Sequence, residues 1–208
     1  MHYKSCMRQE KGSGNMHTVH KGKLINLRTM QEDDAEILQK WYMDKDFRRS
    51  YDAYTSVSLE SIAKDIQESS SIDSPTADKV YFMVTSKKDD KPIGVGCIRS
   101  INRQNGNAEI VLGIGEKKNR LAGYGIDLMI SLLDIIFYNL NFEKAYLKVL
   151  NNNALGLKSA LSFGFKEEGA LRKDKFINGE YEDLIILGIL KDEYEKLKFL
   201  PRWKARKN

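Results

Sequence analysis

Histidine is nearly missing from this 208-residue chain, and its placement excludes more than its scarcity does. The three histidines are His2, His17 and His20, so none follows Lys21. A Ser-His-Asp triad, a Cys-His pair or a His-based metal centre therefore has no place in the body of the protein. His17 and His20 have a spacing that a metal could use, but their surroundings are polar and contain glycine, and no metal is expected there. Cysteine is as sparse. Cys6 lies in a polar stretch and Cys97 in the apolar run IGVGCIRSI, so the pair makes neither a disulfide framework nor a zinc site. Long hydrophobic runs are also lacking. The longest apolar region, 130–140, is broken by Ser131, Asp134 and Asn139, well short of the roughly 18 apolar residues of a membrane helix. The N-terminus is polar, without the apolar core of a signal peptide. These absences point to a cytoplasmic protein without membrane contact. Its chemistry must rest on carboxylates, hydroxyls, backbone amides or a bound cofactor.

Charge is present but unevenly spread. The net charge is +5. Lys4, Arg8, Lys11, Lys21 and Lys23 against Glu10 make the start basic. Lys196, Lys198, Arg202, Lys204, Arg206 and Lys207, with no acid among them, make the end more so. The stretch between is left mildly acidic. A nucleic-acid binder wants its basic face on the folded body, so that partner is not expected. Both ends read as solvated extensions, residues 1–21 and 196–208, around a single domain at 22–195. Met16 offers an alternative initiator.

Within that domain the patterning is clear. KLINLRT alternates as a first strand. Thr29 and Glu32 have the spacing of a capping box, and a helix is expected through DDAEILQKWYMD with Ala35, Leu38, Trp41 and Tyr42 on one face. DFRRSYDAYTSV is aromatic but irregular. Ser58 caps a second helix, LESIAKDIQES. SSSIDSPTADK is a polar loop. VYFMVTS, IGVGCIRSI and AEIVLGI, separated by polar turns, form an antiparallel meander. A strong amphipathic helix follows, with Ile126, Met129, Ile130, Leu133, Phe137 and Leu140 at helical spacing. KAYLKVL is a strand, NNNALGLKSALSF an Asn-capped helix ended by Gly164, and the chain closes in a hairpin turning at Asn178-Gly179. The order predicts an α+β domain with a mixed, mostly antiparallel twisted sheet flanked by helices. Because a helix links AEIVLGI to KAYLKVL, those two strands must run parallel.

The stretch KKNRLAGYGIDLM sits between that strand and that helix. Early helical amides lack intrahelical partners, the helix dipole adds positive potential, and Gly123 and Gly125 allow close backbone approach. Lys117, Lys118 and Arg120 add charge. A pyrophosphate suits such a loop, although neither a Walker loop nor G-x-G-x-x-G is spelled out.

Arg120-x-x-Gly123-x-Gly125, Asn153 with the following ALGLKSALSFGF, and the closing FGFKEEGALRKDKFINGEYEDLIILGIL together resemble the GNAT superfamily of acetyl-CoA-dependent N-acetyltransferases. The branch is the one containing ribosomal-protein N-terminal and spermidine acetyltransferases, and the resemblance covers about residues 23–195. It implies that acetyl-CoA is the co-substrate. Its pantetheine arm would run along Leu112, Gly113 and Ile114 and meet Asn153, which also reads as a plain helix cap. Arg120, Leu121, Ala122, Gly123, Tyr124, Gly125 and Ile126 would hold the pyrophosphate. Glu109, on the strand before the loop, stands where relatives often place a glutamate that acts as base or positions the amine; its bland alternative is a surface strand carboxylate. Ala160 and Gly156 stand where relatives have Tyr or Ser, so no general acid is assigned. The acceptor is a primary amine: a polyamine, an aminoglycoside or a protein N-terminus. Trp41 and Tyr54 could line its pocket, though core packing competes, and Asp183 could bind its charge. A homodimer is left open. The rival reading is an acetyl-CoA-binding sensor that contacts a partner through its tails.

Overall fold

The computed structural model describes residues 18–51, 57–69, 71–120, 122–177 and 179–198. The chain begins with β1 (Thr18–Lys21) and β2 (Ile25–Thr29). Three helices follow, α1 (Asp34–Met43), α2 (Lys45–Tyr51) and α3 (Leu59–Gln67). The meander is β3 (Lys79–Ser86), β4 (Pro92–Asn102) and β5 (Asn107–Ile114). Then come α4 (Tyr124–Asp134), β6 (Lys144–Leu150), α5 (Ala154–Phe163), β7 (Lys166–Ile177), β8 (Glu180–Leu190) and α6 (Lys191–Lys198). The strands form one eight-stranded sheet in the order β1-β2-β3-β4-β5-β6-β8-β7. β5 and β6 pair in parallel and every other neighbouring pair is antiparallel. The expected mixed sheet and its crossover helix are therefore present.

Two cores cover the two faces. One joins the sheet to α4, α5 and α6 through Leu128, Leu132, Ile110, Ala145, Phe163 and Tyr194. The other seats α1, α2 and α3 on the opposite face through Leu38, Trp41, Phe47, Ile62, Met83 and Val95. Alternation along β5 divides its side chains between them. Ala108, Ile110 and Ile114 join the α4 side, while Gly113 meets Phe47 of α2.

Several elements differ from the sequence reading. Thr18–Lys21 belongs to the sheet, because β1 pairs with β2, so order begins before residue 22. Thr29 ends β2 rather than capping α1. The start of α1 is fixed instead by Asp34, whose carboxylate takes both Nη atoms of Arg28 at 2.7 and 2.6 Å and the Gln31 amide at 2.8 Å. The irregular aromatic stretch contains α2, whose Phe47 is fully buried between Tyr42 and Tyr51. Ser58 caps α3 as expected, accepting the Ser61 amide at 3.1 Å. The amphipathic helix does not run evenly to Leu140. It widens into a π-turn at Ile135–Asn139, closed by the Leu140 amide donating to the Ile135 carbonyl at 2.9 Å. That widening keeps Ile135, Ile136 and Phe137 all in the core. Finally, α6 extends to Lys198, past residue 195, and buries Tyr194 completely. No helix among the described residues is long and apolar enough to cross a membrane.

Candidate active site

The parallel pairing between β5 and β6 is short. Asn107, Ala108 and Glu109 register with Lys144, Ala145 and Tyr146, and the register ends there. β5 continues beside β4 as far as Ile114. β6 continues beside β8 as far as Leu150. From Ile110 to Ile114 no residue of β6 stands opposite β5, and the two strands part as a V with Glu109 at its vertex. Backbone groups along that arm, which includes Leu112, Gly113 and Ile114, are placed to pair with an extended ligand as they would with a strand.

Gly113 lets α2 close over this arm, since a Cβ there would sit 2.7 Å from Cε2 of Phe47. The Trp41 ring packs against Gly115 in the same way, with no room for a Cβ. Trp41 is 2% exposed. Its indole N–H donates to Oε1 of Glu116 at 3.2 Å, and Lys40 reaches the same oxygen at 3.1 Å. These two donors hold the Glu116 carboxyl below its usual range. The structure thus spends Trp41 on docking α1 against the end of β5. Tyr54 lies outside the described residues.

Past β5 the chain makes a short 3-10 turn at Lys117–Asn119 and reaches α4. The Arg120 side chain points back into the protein. Its Nε donates to the Ile114 carbonyl at 3.1 Å and its Nη2 reaches Asp44 Oδ2 at 3.2 Å. Burial works against the Asp44 charge. The amides of Asp46 and Phe47, with Lys117 and Arg120, nevertheless hold its carboxyl below the usual value. Arg120 therefore ties the loop to α1 from behind. Leu121 lies outside the described residues. Ala122 and Gly123 are exposed, and Tyr124 and Gly125 half-exposed. Ile126, expected on the core face, is 38% exposed beside them.

Gly123 is the N-cap of α4, with φ +83° and no side chain to cap the helix. The Asp127 amide donates to the Gly123 carbonyl at 3.2 Å. The amides of Tyr124, Gly125 and Ile126 precede that bond and have no carbonyl four residues back within the helix. The two glycines differ in cause. The left-handed backbone at Gly123 favours glycine by itself. Gly125 is helical, and a Cβ there would meet only Ile114 Cγ1, at 3.9 Å. Nothing among the described residues requires glycine at 125. A ligand pressed onto the first turn would require it, so the loop fits an anionic group held by backbone amides.

Asp127, which the sequence reading passed over, fixes this turn in place. It is buried, and its carboxylate accepts the amides of Lys23, Leu24 and Ile25 at 3.0, 2.6 and 3.1 Å. Its only sequence signal is an acid in the first turn of an apolar helix.

Glu109 is also buried, 2% exposed. Its Oε1 receives Arg99 Nη2 at 2.7 Å and its Oε2 receives Lys148 Nζ at 3.1 Å. It is not the surface carboxylate that a strand position would suggest. Asn153 caps α5, its Oδ1 accepting the Gly156 amide at 3.0 Å. Ala160 is packed in the core and Gly156 has no side chain, so neither presents a hydroxyl. Asp183 lies on β8 beside the end of β6, its carbonyl accepting the Asn151 amide at 3.0 Å. Its Oδ1 accepts the amide of Lys173, a bulged residue with φ +54°, at 2.8 Å. An open cleft of about 770 Å³ lies there, lined by Ala170, Leu171, Arg172, Lys173, Asp174 and Asp183. The structure thus gathers the β5 arm, the loop and Glu109 around the V. It places Asp183 beside the end of β6 and Trp41 in the core. Among the described residues no cluster of three His, Cys, Asp or Glu side chains could hold a metal.

Known proteins share this fold. The chain is similar to an N-acetyltransferase, p20, of Bacillus licheniformis, with 28% identity covering 82% of this chain and 94% of that one. A spermidine N(1)-acetyltransferase of Vibrio cholerae is 38% identical over a shorter stretch, 35% of this chain and 42% of that one. Among solved structures, a mutant form of the spermidine/spermine N-acetyltransferase SpeG from Vibrio cholerae superposes with a TM-score of 0.70 at 24% identity, covering 83% of this chain and 97% of that one. A GCN5-related N-acetyltransferase from Brucella melitensis gives a TM-score of 0.73 at 18% identity, covering 91% and 85%. The family model described as the acetyltransferase (GNAT) domain matches residues 27–186. With the parted β5–β6 pair and the glycine-led α4 in place, the chain belongs to the GNAT family of acetyltransferases.

Proposed function

We propose that this acetyltransferase takes its acetyl group from acetyl-CoA and delivers it to a primary amine by direct attack in a ternary complex. The observation that carries the donor assignment is Gly125, a glycine for which the described residues give no structural reason, placed on a helix turn that no side chain caps. Bound at the V, acetyl-CoA supplies an activated thioester carbonyl. The amides of Tyr124, Gly125 and Ile126 bind its pyrophosphate. Backbone groups from Leu112 to Ile114 hold the pantetheine arm as a strand edge would. Asn153 contacts that arm while its Oδ1 caps α5.

The amine must shed a proton before it attacks, because an alkylammonium titrates near pH 10. No histidine lies on the described sheet beyond His20, so a carboxylate is the natural recipient. Glu109 occupies the vertex. Both its oxygens already receive cations, so it takes the proton through a water or serves by orienting the amine. A pH profile of kcat/KM for Glu109→Gln separates the two, since a profile unchanged from wild type removes the base role. With Ala160 and Gly156 lacking hydroxyls, the general acid is unassigned, and the ordinary thiol pKa near 8.5 makes one helpful but not obligatory.

The experiment is a melting-temperature measurement with and without acetyl-CoA, paired with thiol release over spermidine, an aminoglycoside and a peptide with a free N-terminus. Stabilisation by acetyl-CoA with turnover of an amine is expected. No stabilisation would overturn the donor assignment. Stabilisation without turnover on any amine would mean a binding protein in place of an enzyme.

A further inference from the structure

The vertex of the V holds a primary amine of the chain's own, and its consequence rests on the acetyl transfer proposed above. Lys148 lies on β6 two residues past Tyr146, where the register with β5 has ended. Its side chain crosses from the parted arm of β6 back to β5, and its Nζ stands 3.1 Å from Oε2 of Glu109. The same Nζ lies 5.7 Å from the centre of the Tyr146 ring, and Tyr146 is the residue in register with Glu109. Residues two apart on a strand share a face, so Tyr146 and Lys148 stand on the side of the sheet that Glu109 takes. The side chain of Glu109 is 2% exposed and that of Lys148 31%. The amine is reachable while its counter-charge is covered.

Arg99 also donates to Glu109, at 2.7 Å, but a guanidinium stays protonated and makes no nucleophile. A lysine that gives up one proton has a free lone pair. Lys148 therefore holds the relation to Glu109 that an acceptor amine must adopt if that carboxylate receives its proton or orients it: a primary ammonium within hydrogen-bond reach. A donor with its pyrophosphate on α4 and its pantetheine arm along Ile114 to Leu112 runs toward Glu109, so its thioester end approaches this nitrogen. Donor and amine held in one site react in a unimolecular step, which offsets the weakness of a mostly protonated nucleophile.

We propose that Lys148 is an internal acceptor, acetylated by the acetyl-CoA bound to its own chain when no external amine fills the site. The ammonium passes one proton to Glu109, which returns it to water. The nitrogen lone pair bonds to the thioester carbonyl carbon, the C–S bond breaks with its electron pair on sulfur, and the second proton lost by the nitrogen goes to the thiolate. The products are Nε-acetylated Lys148 and free coenzyme A. The amide is neutral and no longer pairs with the carboxylate, so the modification alters the vertex for the next acceptor.

The test incubates the full chain with acetyl-CoA and no amine, follows acetylation by intact mass and peptide mapping, and records the melting temperature with acetyl-CoA on the same sample. Lys144 is the internal control, on the same strand, 36% exposed and 2.7 Å from the Glu168 carboxylate. Lys148 is expected to be acetylated at least about tenfold faster than Lys144, and than Lys148 itself in the urea-unfolded chain, at a rate independent of protein concentration. Glu109→Gln should slow it by about tenfold or more. Lys148→Arg should lose that acetyl group and keep the stabilisation by acetyl-CoA. Acetylation of Lys148 no faster than of Lys144, or no faster than in the unfolded chain, would overturn the inference. So would a rate that rises with protein concentration, which marks transfer between chains. If acetyl-CoA still stabilises the protein and an external amine is turned over, the transfer reading survives that failure. If acetyl-CoA neither stabilises the protein nor acetylates Lys148, the donor reading and the inference both fail.

Discussion

Oδ2 of Asp127 accepts the Leu24 amide at 2.6 Å, the shortest of three bonds that this carboxylate takes from consecutive residues of the turn before β2. The turn is pressed close, since Gly22 has no space for a Cβ against Asp127 and Ser131. Leu24 in turn flanks Gly123, where a Cβ would lie 3.7 Å from its Cδ1. One buried acid thus connects the edge of the sheet to the uncapped end of α4.

Asp127→Asn keeps the shape but turns an amide donor toward backbone donors. At least one buried N–H loses its acceptor, which costs about 1–3 kcal/mol. Urea unfolding should show that loss, and the KM for acetyl-CoA should rise severalfold because Leu24 and Gly123 shift together. A variant with normal stability and normal KM would show that the three bonds do not position the loop.

On the same face of the sheet, Gly164 ends α5 with φ +126°, and a Cβ there would collide with the side chain of Leu197 of α6. Gly164→Ala must strain the backbone and displace the Leu197 side chain that packs over it. A loss of about 1–3 kcal/mol is expected. Tyr194→Phe should cost less, near the 0.5–1.5 kcal/mol of an ordinary hydrogen bond, because it removes the bond to Asp134 Oδ1 at 2.8 Å and keeps the ring. If the tyrosine variant proved the more damaging, the seal would depend on that bond and not on packing.

Why α6 escaped the sequence reading is physical. KDEYEKLK is charged at most positions, and its two apolar residues, Tyr194 and Leu197, are too few for a periodic pattern. Its basic end merged with the basic residues that follow. β1 escaped for a related reason: four residues of edge strand carry little alternation, and pairing with β2 makes the strand. The meander, the parallel pair and α4 were legible because their apolar patterns are local and long. At the site, the position of the loop between β5 and α4 was legible from the apolar patterns on either side of it. The setting of Glu109 was not, since its partners are 10 and 39 residues away in sequence. Only registry across three strands brings them together.

Asp44 gives a pH-dependent prediction. Its folded pKa lies below the ordinary value of 3.8, with the Asp46 and Phe47 amides and the cations Lys117 and Arg120 outweighing burial. A depressed carboxyl pKa contributes stability above the unfolded pKa, and that stability is lost as pH falls through the folded value. Asp44→Asn should melt below wild type near neutral pH. The gap should shrink from about pH 5 to about pH 3 as the wild-type carboxyl protonates. A gap that is flat or widens on acidification would show that the carboxylate is not what ties α1 to Arg120.

The two loop glycines should respond in opposite ways. Gly123→Ala forces a left-handed backbone on an L-residue, costing about 1–2 kcal/mol. Gly125→Ala places a methyl in ordinary van der Waals contact with Ile114, at 3.9 Å, on a regular helix, where alanine is favoured over glycine by about 1 kcal/mol. The Gly125 variant should therefore melt at or above the wild-type temperature without ligand. Its methyl would stand where the backbone approaches the pyrophosphate, so the stabilisation conferred by acetyl-CoA should fall sharply and its KM rise. A protein made more stable and yet less able to bind its donor would show that the ligand, and not the fold, requires glycine at 125. A Gly125→Ala enzyme with unchanged acetyl-CoA binding would remove the cradle from the first turn of α4.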